Sequence, residues 1–302
     1  MADTIDASAA TAAGEPTPSR RIHPDAVAPA TRRRRLAGRY VVLLLTSAVL
    51  LFPVWVTLTG AIQPYEQVLD YPGSLLPWPI TFDVITNAWT SANLDRYLIN
   101  SAIVTVAITA GQVVTSVLAA YAFTFVDFAF RRTLFVLFLA TLMVPAEVTI
   151  VANFQTVRAL GWLDSYPGLV APFIATAFGT FLLRQTFLTL PKELREAAQM
   201  DGMGHLRFLW EVVVPLARPA IGALTVFSFL SAWNQYLWPL IVTTEPDMRT
   251  VQIGLRSLAA SNLDELNLVM AGTVVAALPI IVILLLFQRQ LIRGLTAGAV
   301  KG

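Results

Sequence analysis

The chain has no cysteine and only two histidines, His23 and His205, in 302 residues. Without thiols, disulfides, thiolate nucleophiles and Cys-ligated metals are excluded, and the redox compartment leaves no trace. One histidine lies in a polar N-terminal stretch and the other in a polar interlude far along the chain. They do not assemble a metal centre or an imidazole proton relay, so neither metal nor cofactor is expected. Lysine is as scarce, with Lys192 and Lys301 alone. The phosphate cradle of ATP-hydrolysing proteins needs Gly, four residues, then Gly-Lys and Ser or Thr. Lys192 follows Pro191 and Lys301 precedes the final Gly302, so no such cradle exists and the chain is not read as an enzyme. Charged residues make up only 13% and the net charge is +2. That balance does not call for nucleic acid as a partner.

Apolar residues fill the space the charges leave. They account for 56% of the chain, with a mean hydropathy of +0.65, the composition of an integral membrane protein surrounded by lipid. Residues 1–35 read as a disordered basic tail: Ala, Thr, Ser and Pro without apolar periodicity, ending in Arg32 to Arg35. A charge-free run from Tyr40 to Tyr65 follows. It is too long for a signal peptide and lacks a small-residue cleavage site, so it is expected to be a first spanning helix. Five more runs are long enough for the roughly 20 helical residues a crossing needs. They lie between Arg96 and Asp127, from Arg132 to about Ala152 with Pro145 and Glu147 interrupting, from Tyr166 to Leu190, from Pro219 to Thr244, and from Leu266 to Gln288. The fold class expected is all-α, one six-helix membrane domain over residues 36–302.

Short cytoplasmic loops collect Lys and Arg. Six crossings leave only Arg96, Arg158, Arg249 and Arg256 of the 21 basic residues outside. Both termini and the loop around Glu196 are therefore expected in the cytoplasm. The outer stretch from Gln63 to Asp95, with Pro64, Pro72, Pro77, Pro79, Trp78 and Trp89, reads as a structured external segment that contacts something outside.

The interlude runs from Leu190 to Pro219, LPKELREAAQMDGMGHLRFLWEVVVPLARP. Pro191 suits a first helical position, and Leu194, Ala197, Ala198 and Asp201 follow at helical spacing. Asp201-Gly202 is expected to break that helix, because Gly accepts a backbone conformation that a Cβ resists. A second helix should run from Gly204 to Val214 and end at Pro215. The paired Ala197 and Ala198 suggest a flat face that another protein approaches closely. Inside the spans, Glu147 is the sharpest polar residue, since a buried carboxylate must find a donor or keep its proton. Asn234 and Gln235, in SAWNQYLWPL, are second candidates for a substrate path. Trp233, Tyr236 and Trp238 beside them fit an aromatic belt equally well. Asn100 is a weaker candidate, and Gly111, Ser116, Ala119 and Ala120 suit close helix packing.

Glu196-Ala197-Ala198, three residues, Gly202, nine residues, Val212, one residue and Val214-Pro215 resemble the EAA loop of permease subunits of ATP-binding-cassette importers. The segment from Arg293 to Gly302 resembles the tail of the second permease of the maltose-type carbohydrate family. LMVPAEV from Leu142, LDSYPGL from Leu163, LLRQTFLTLP from Leu182 and WNQYLWPL from Trp233 resemble glycerol-3-phosphate permeases most. The resemblance implies the MetI-like fold of type I importers and uptake of a sugar or a glycerol phosphate. Partners implied are a second permease in a heterodimer, an ABC ATPase dimer that binds the ATP, and an extracellular or periplasmic solute-binding protein. It places Glu196, Ala197, Ala198, Asp201, Gly202 and Pro215 in a coupling loop seated on the ATPase, in a bacterial inner membrane. Two other classes stay open: a stand-alone secondary transporter or channel with Glu147 as its coupling carboxylate, and a membrane scaffold or sensor.

Overall fold

The computed structural model describes residues 29–69, 76–261 and 265–296. The tail up to residue 28, Pro72 of the outer stretch and the closing residues 297–302 lie outside them. Every regular element in the described residues is helical. They divide into two units, residues up to Pro53 and residues from Val54 on. The first unit belongs to α1 (Pro29–Gly60), which carries Arg32 to Arg35 in its opening turns. Its side chains from Tyr40 to Leu51 are exposed. The 23 residues Gly38–Gly60 extend for about 35 Å of helix, enough to cross a bilayer. A helix apolar on all sides is stable only in lipid or against a partner.

In the second unit, α2 (Tyr65–Leu69) and α3 (Asp83–Ser91) occupy the stretch before α4 (Leu94–Phe125). The stretch is ordered by hydrogen bonds across it, Thr81 N to Ile62 O at 2.9 Å and Gln67 Nε2 to Trp78 O at 2.6 Å. The 32-residue α4 is the axis of the fold. Along it pack α8 (Ala177–Leu188) and α12 (Arg218–Trp233), while α15 (Leu266–Thr296) lies on α12 and α3. Small residues permit this approach: a Cβ on Gly179 of α8 would collide with Ser116 Oγ of α4 and with Leu224 of α12. Three apolar clusters are strung along α4, around Leu94 and Tyr97, around Ile108, and around Val117 and Tyr121.

Among the described residues three helices are long and apolar enough to cross a membrane alone, Gly38–Gly60, Leu94–Phe125 and Leu266–Gln290; three bent pairs bring the total to as many as six. The third expected span is α5 (Arg131–Ala140), a 3₁₀ turn Thr141–Met143 and α6 (Ala146–Ala159), bent by 101°. Val144 is extended, φ −84° and ψ 117°, as the residue before a proline tends to be. The fourth, read as continuous, is instead α7 (Tyr166–Val170), a 3₁₀ turn Ala171–Phe173 and α8, with a 46° bend. The carbonyls freed at that break are taken by α4: Gln112 Nε2 donates to Phe173 O and Thr115 Oγ1 to Ile174 O, both at 2.9 Å. Non-helical backbone at membrane depth is thus kept inside protein. The fifth does not run unbroken to Thr244. It ends at Trp233, and α13 (Leu237–Val242) follows a break at Asn234. The short α14 (Val251–Ser261) packs between α4 and α15.

Candidate functional site

The polar interlude forms α9 (Lys192–Met200) and α10 (His205–Phe208), five residues of π-helix Leu209–Val213, and α11 (Val214–Leu216). Pro191 stands at the N-cap, one residue before the first helical position expected. The far end of α9 closes with paired backbone bonds, Met203 N to Ala198 O at 2.8 Å and Gly202 N to Gln199 O at 3.0 Å. This C-terminal motif needs a left-handed residue, and Gly202 supplies φ +71°. No atom lies within 4 Å of where its Cβ would be, so the demand for glycine here is conformational rather than steric.

Two expectations are corrected. Ala197 and Ala198 do not form one flat outer face. Successive helical residues point about 100° apart, and Ala198 is 5% exposed inside the cluster of Tyr121, Phe208 and Leu209, while Ala197 faces outward. Pro215 does not end the second helix, which continues to Leu216 before an 80° bend into α12. The wider π turn precedes Pro215 where its missing N–H and its ring would strain an α-turn. Phe208, Leu209, Val213 and Ala217 are buried toward the spans. Met200, Leu206 and Trp210 are 84%, 70% and 53% exposed, beside the exposed Glu193, Glu196, Asp201 and Glu211. Arg207 pairs with Glu211 at 3.0 Å, a solvated i,i+4 bridge that contributes under about 1 kcal/mol. Large apolar side chains displayed among charges on a rigid double helix form a surface shaped for another protein.

Glu147 is exposed in the first turn of α6, two residues past Pro145. It is therefore not the carboxylate buried in an apolar helix that its run suggests. Asn234 caps the end of α12, its Nδ2 donating to Leu230 O at 2.8 Å. Gln235 is half-buried, and its Oε1 has no partner among the described residues. Trp233 and Trp238 are internal, 2% and 4% exposed. Their Nε1 groups donate to Ala276 O at 3.2 Å and Gly168 O at 3.1 Å. An aromatic belt can therefore include only the exposed Tyr236. The 16 residues of α12, about 24 Å of helix, separate the interlude from Asn234 and Gln235.

Residues 112–297 match the family model described as binding-protein-dependent transport system inner membrane component. The chain is 39% identical over 264 residues to the sn-glycerol-3-phosphate transport system permease protein UgpE of Yersinia enterocolitica, covering 85% of this chain and 94% of that protein. It is 38% identical, with the same coverage, to UgpE of Escherichia coli O6:K15:H31. The chain belongs to the family of binding-protein-dependent transport system inner membrane components. It is thus a membrane component of an ABC importer. Among solved structures it superposes on a chain of a bacterial ABC transporter that imports the acidic polysaccharide alginate. The TM-score is 0.74 at 26% identity, over 91% of this chain and 99% of that one. A chain of an alginate ABC transporter in complex with an alginate-pentasaccharide-bound periplasmic protein shares the fold, with TM-score 0.63 at 13% identity over 85% and 93%.

In this permease component the LDSYPGL stretch is a structural clamp whose role the sequence reading missed. Asp164, at φ +52°, accepts from Thr244 N at 2.6 Å, Thr244 Oγ1 at 2.6 Å and Glu245 N at 2.8 Å. Its own N–H donates to Val242 O at 3.0 Å, so two distant loops are sewn together. Partial desolvation pushes the Asp164 carboxyl up, but the donors from Thr244 and Glu245 outweigh it and hold the group below the usual carboxylate range. A lowered folded-state value means that the clamp contributes fully above about pH 4, the ordinary Asp value, and fades as pH falls through the lowered one. The protection of the Thr244 and Glu245 amides against hydrogen exchange, relative to their intrinsic rates, is expected to fall on acidification below about pH 4. In Asp164→Asn exchange should already be faster at neutral pH and should lose the acid-dependent step. Next to the clamp, Tyr166 Oη donates to Asn100 Oδ1 at 2.8 Å. Asn100 Nδ2 donates to Asp247 O at 2.7 Å and Arg249 O at 2.9 Å. Asn100 is completely buried and joins α4, α7 and the loop before α14.

Proposed function

We propose that this chain is the permease subunit that lets an ABC ATPase dimer drive solute through the inner membrane, with residues 190–219 as its docking and coupling loop. The observation that carries this reading is the exposed apolar set Met200, Leu206 and Trp210 on the helices of the interlude, in a chain whose sequence has no phosphate cradle. ATP is then held by the partner, and this chain needs no cofactor of its own. Glu196, Ala197 and Asp201 present the loop's outer surface, Gly202 sets its hinge, and Ala198 and Pro215 support it from within. The charge count of the loops puts both termini and residues 190–219 in the cytoplasm, with 1–35 as a cytoplasmic tail and 36–302 as the membrane domain. A second permease completes a heterodimer, and a periplasmic solute-binding protein delivers the solute. Glu147, Asn234 and Gln235, each at a break between helices, are proposed to line the path.

The 39% identity to proteins named for sn-glycerol-3-phosphate favours that ester, or a related sugar, as the solute. Arg184 sits 4.1 Å above the Phe135 ring with its Nε on Phe123 O at 3.4 Å, so this span cation is already engaged. The charge that meets a phosphate ester is therefore assigned to the second permease or the binding protein. Affinity capture of the chain from membranes should retain an ATPase and a second permease, and vesicles holding all of them should accumulate sn-glycerol-3-phosphate only with ATP and binding protein. Transport by this polypeptide alone, driven by an ion gradient, would refute the reading.

A further inference from the structure

The interlude meets the spans chiefly through apolar contacts, which set a distance but resist sliding and rotation poorly because they have no direction. One side-chain hydrogen bond crosses that boundary, beside the weaker cation–π contact of Arg195 over the Phe125 ring at 5.9 Å. Tyr121 Oη, on α4, lies 2.9 Å from His205 Nδ1 at the start of α10, a hydrogen bond in either imidazole tautomer. Among the described residues it is the only hydrogen bond between a side chain of residues 190–219 and a side chain of a span. The rings meet edge-on, centroids 5.9 Å apart and planes at 84°. Tyr121 is 6% exposed and is gripped by Phe125 at 5.2 Å and Phe208 at 6.4 Å between centroids. Phe125 in turn stands edge-on to Phe208 at 5.5 Å. The phenol is thus immobilised, and its hydroxyl fixes the azimuth of α10 as well as its distance.

The other half of the loop is held differently. A cavity of about 60 Å³ adjoins the Tyr121–His205 bond, lined by Arg195, Ala198 and Gln199 of α9 and by Gly204, His205 and Phe208 at α10. The α9 helix meets α4 through Ala198, buried in the Tyr121 cluster, and through Arg195, whose guanidinium carbon lies 5.9 Å from the Phe125 ring centroid, whereas α10, past the Gly202 hinge, adds the hydrogen bond. We propose that Tyr121 is a positioning residue for coupling: through His205 it locks α10 to α4, so that a displacement of the loop reaches α4 and the α8 and α12 helices packed on it. This inference rests on residues 190–219 being the ATPase docking loop. Tyr121 touches neither solute nor nucleotide.

The test uses the whole importer in vesicles, with binding protein and sn-glycerol-3-phosphate, reading solute taken up per ATP hydrolysed. Tyr121→Phe keeps the ring and removes the hydroxyl. It should retain the ATPase at wild-type stoichiometry and hydrolyse ATP within about twofold of wild type, while uptake per ATP falls at least about fivefold, as expected for loss of a coupling term of 1 kcal/mol or more. His205→Ala should do the same, and the double variant should be no worse than either single, since one bond is lost in each case. His205→Asn, whose amide reaches the place of Nδ1, should restore most of the ratio. Wild-type uptake per ATP in Tyr121→Phe, additive losses in the double variant, no rescue by asparagine, or loss of the ATPase from Tyr121→Phe complexes would each overturn the proposal. If the ATPase fails to stay with the unmodified chain, the docking reading itself falls; that outcome is separate.

Discussion

Gly202→Val should insert into the membrane at normal levels and lose most coupled uptake. Valine at φ +71° is a β-branched residue in the left-handed region, at a cost of about 1–3 kcal/mol. If the two halves of the loop keep their relation only while that conformation holds, the native hinge is depopulated roughly 5- to 150-fold. Because space around the missing Cβ is open, size alone is harmless, and the ranking is diagnostic. Gly202→Asn, which tolerates this region, should stay close to wild type, with alanine between. Uptake measured beside the membrane level of each variant checks the series. Normal transport by the valine variant would mean that the hinge is not a working part.

Asn100→Leu is expected to show the largest loss of stability from one side chain of similar size. Asp247 O keeps a second donor, Arg96 Nε at 3.2 Å, but Arg249 O loses its bond to Asn100 and Tyr166 Oη loses its acceptor. Two polar groups stripped of partners cost about 2–4 kcal/mol, which for a chain of this length lowers the melting temperature by roughly 3–6 °C. Tyr166→Phe removes one of the same bonds and should cost about 1 kcal/mol, and the double variant should lose less than the sum. Thermal unfolding of the purified complex reads all three. An Asn100→Leu complex that melts with wild type would remove the node from the account of stability.

The apolar runs and the glycine hinge are legible in the sequence because each is local. A crossing needs a run of a given length, and a helix that meets Asp201-Gly202 has a residue suited to stop it. What is not legible depends on neighbours far along the chain. Hydropathy registers composition and is blind to backbone geometry, so Tyr166 to Leu190 reads as one span although the donors that stabilise its break sit on Gln112 and Thr115. Periodicity cannot orient a nine-residue helix between two partners, which is why Ala198 reads as surface when it is packed under the spans. Glu147 reads as buried because its run is otherwise charge-free, whereas the chain turns at Pro145 and brings the carboxylate out. Asp164 looks like one loop acid among several until Thr244, eighty positions on, supplies its donors.

The broken fourth span has a mechanical consequence. At Phe173 and Ile174 the carbonyls are already held by the side chains of Gln112 and Thr115, so the bend bares neither of these peptides to acyl chains. The 46° bend thus costs the membrane no unpaired peptide, because the side chains that satisfy it belong to the neighbouring helix rather than to lipid or water.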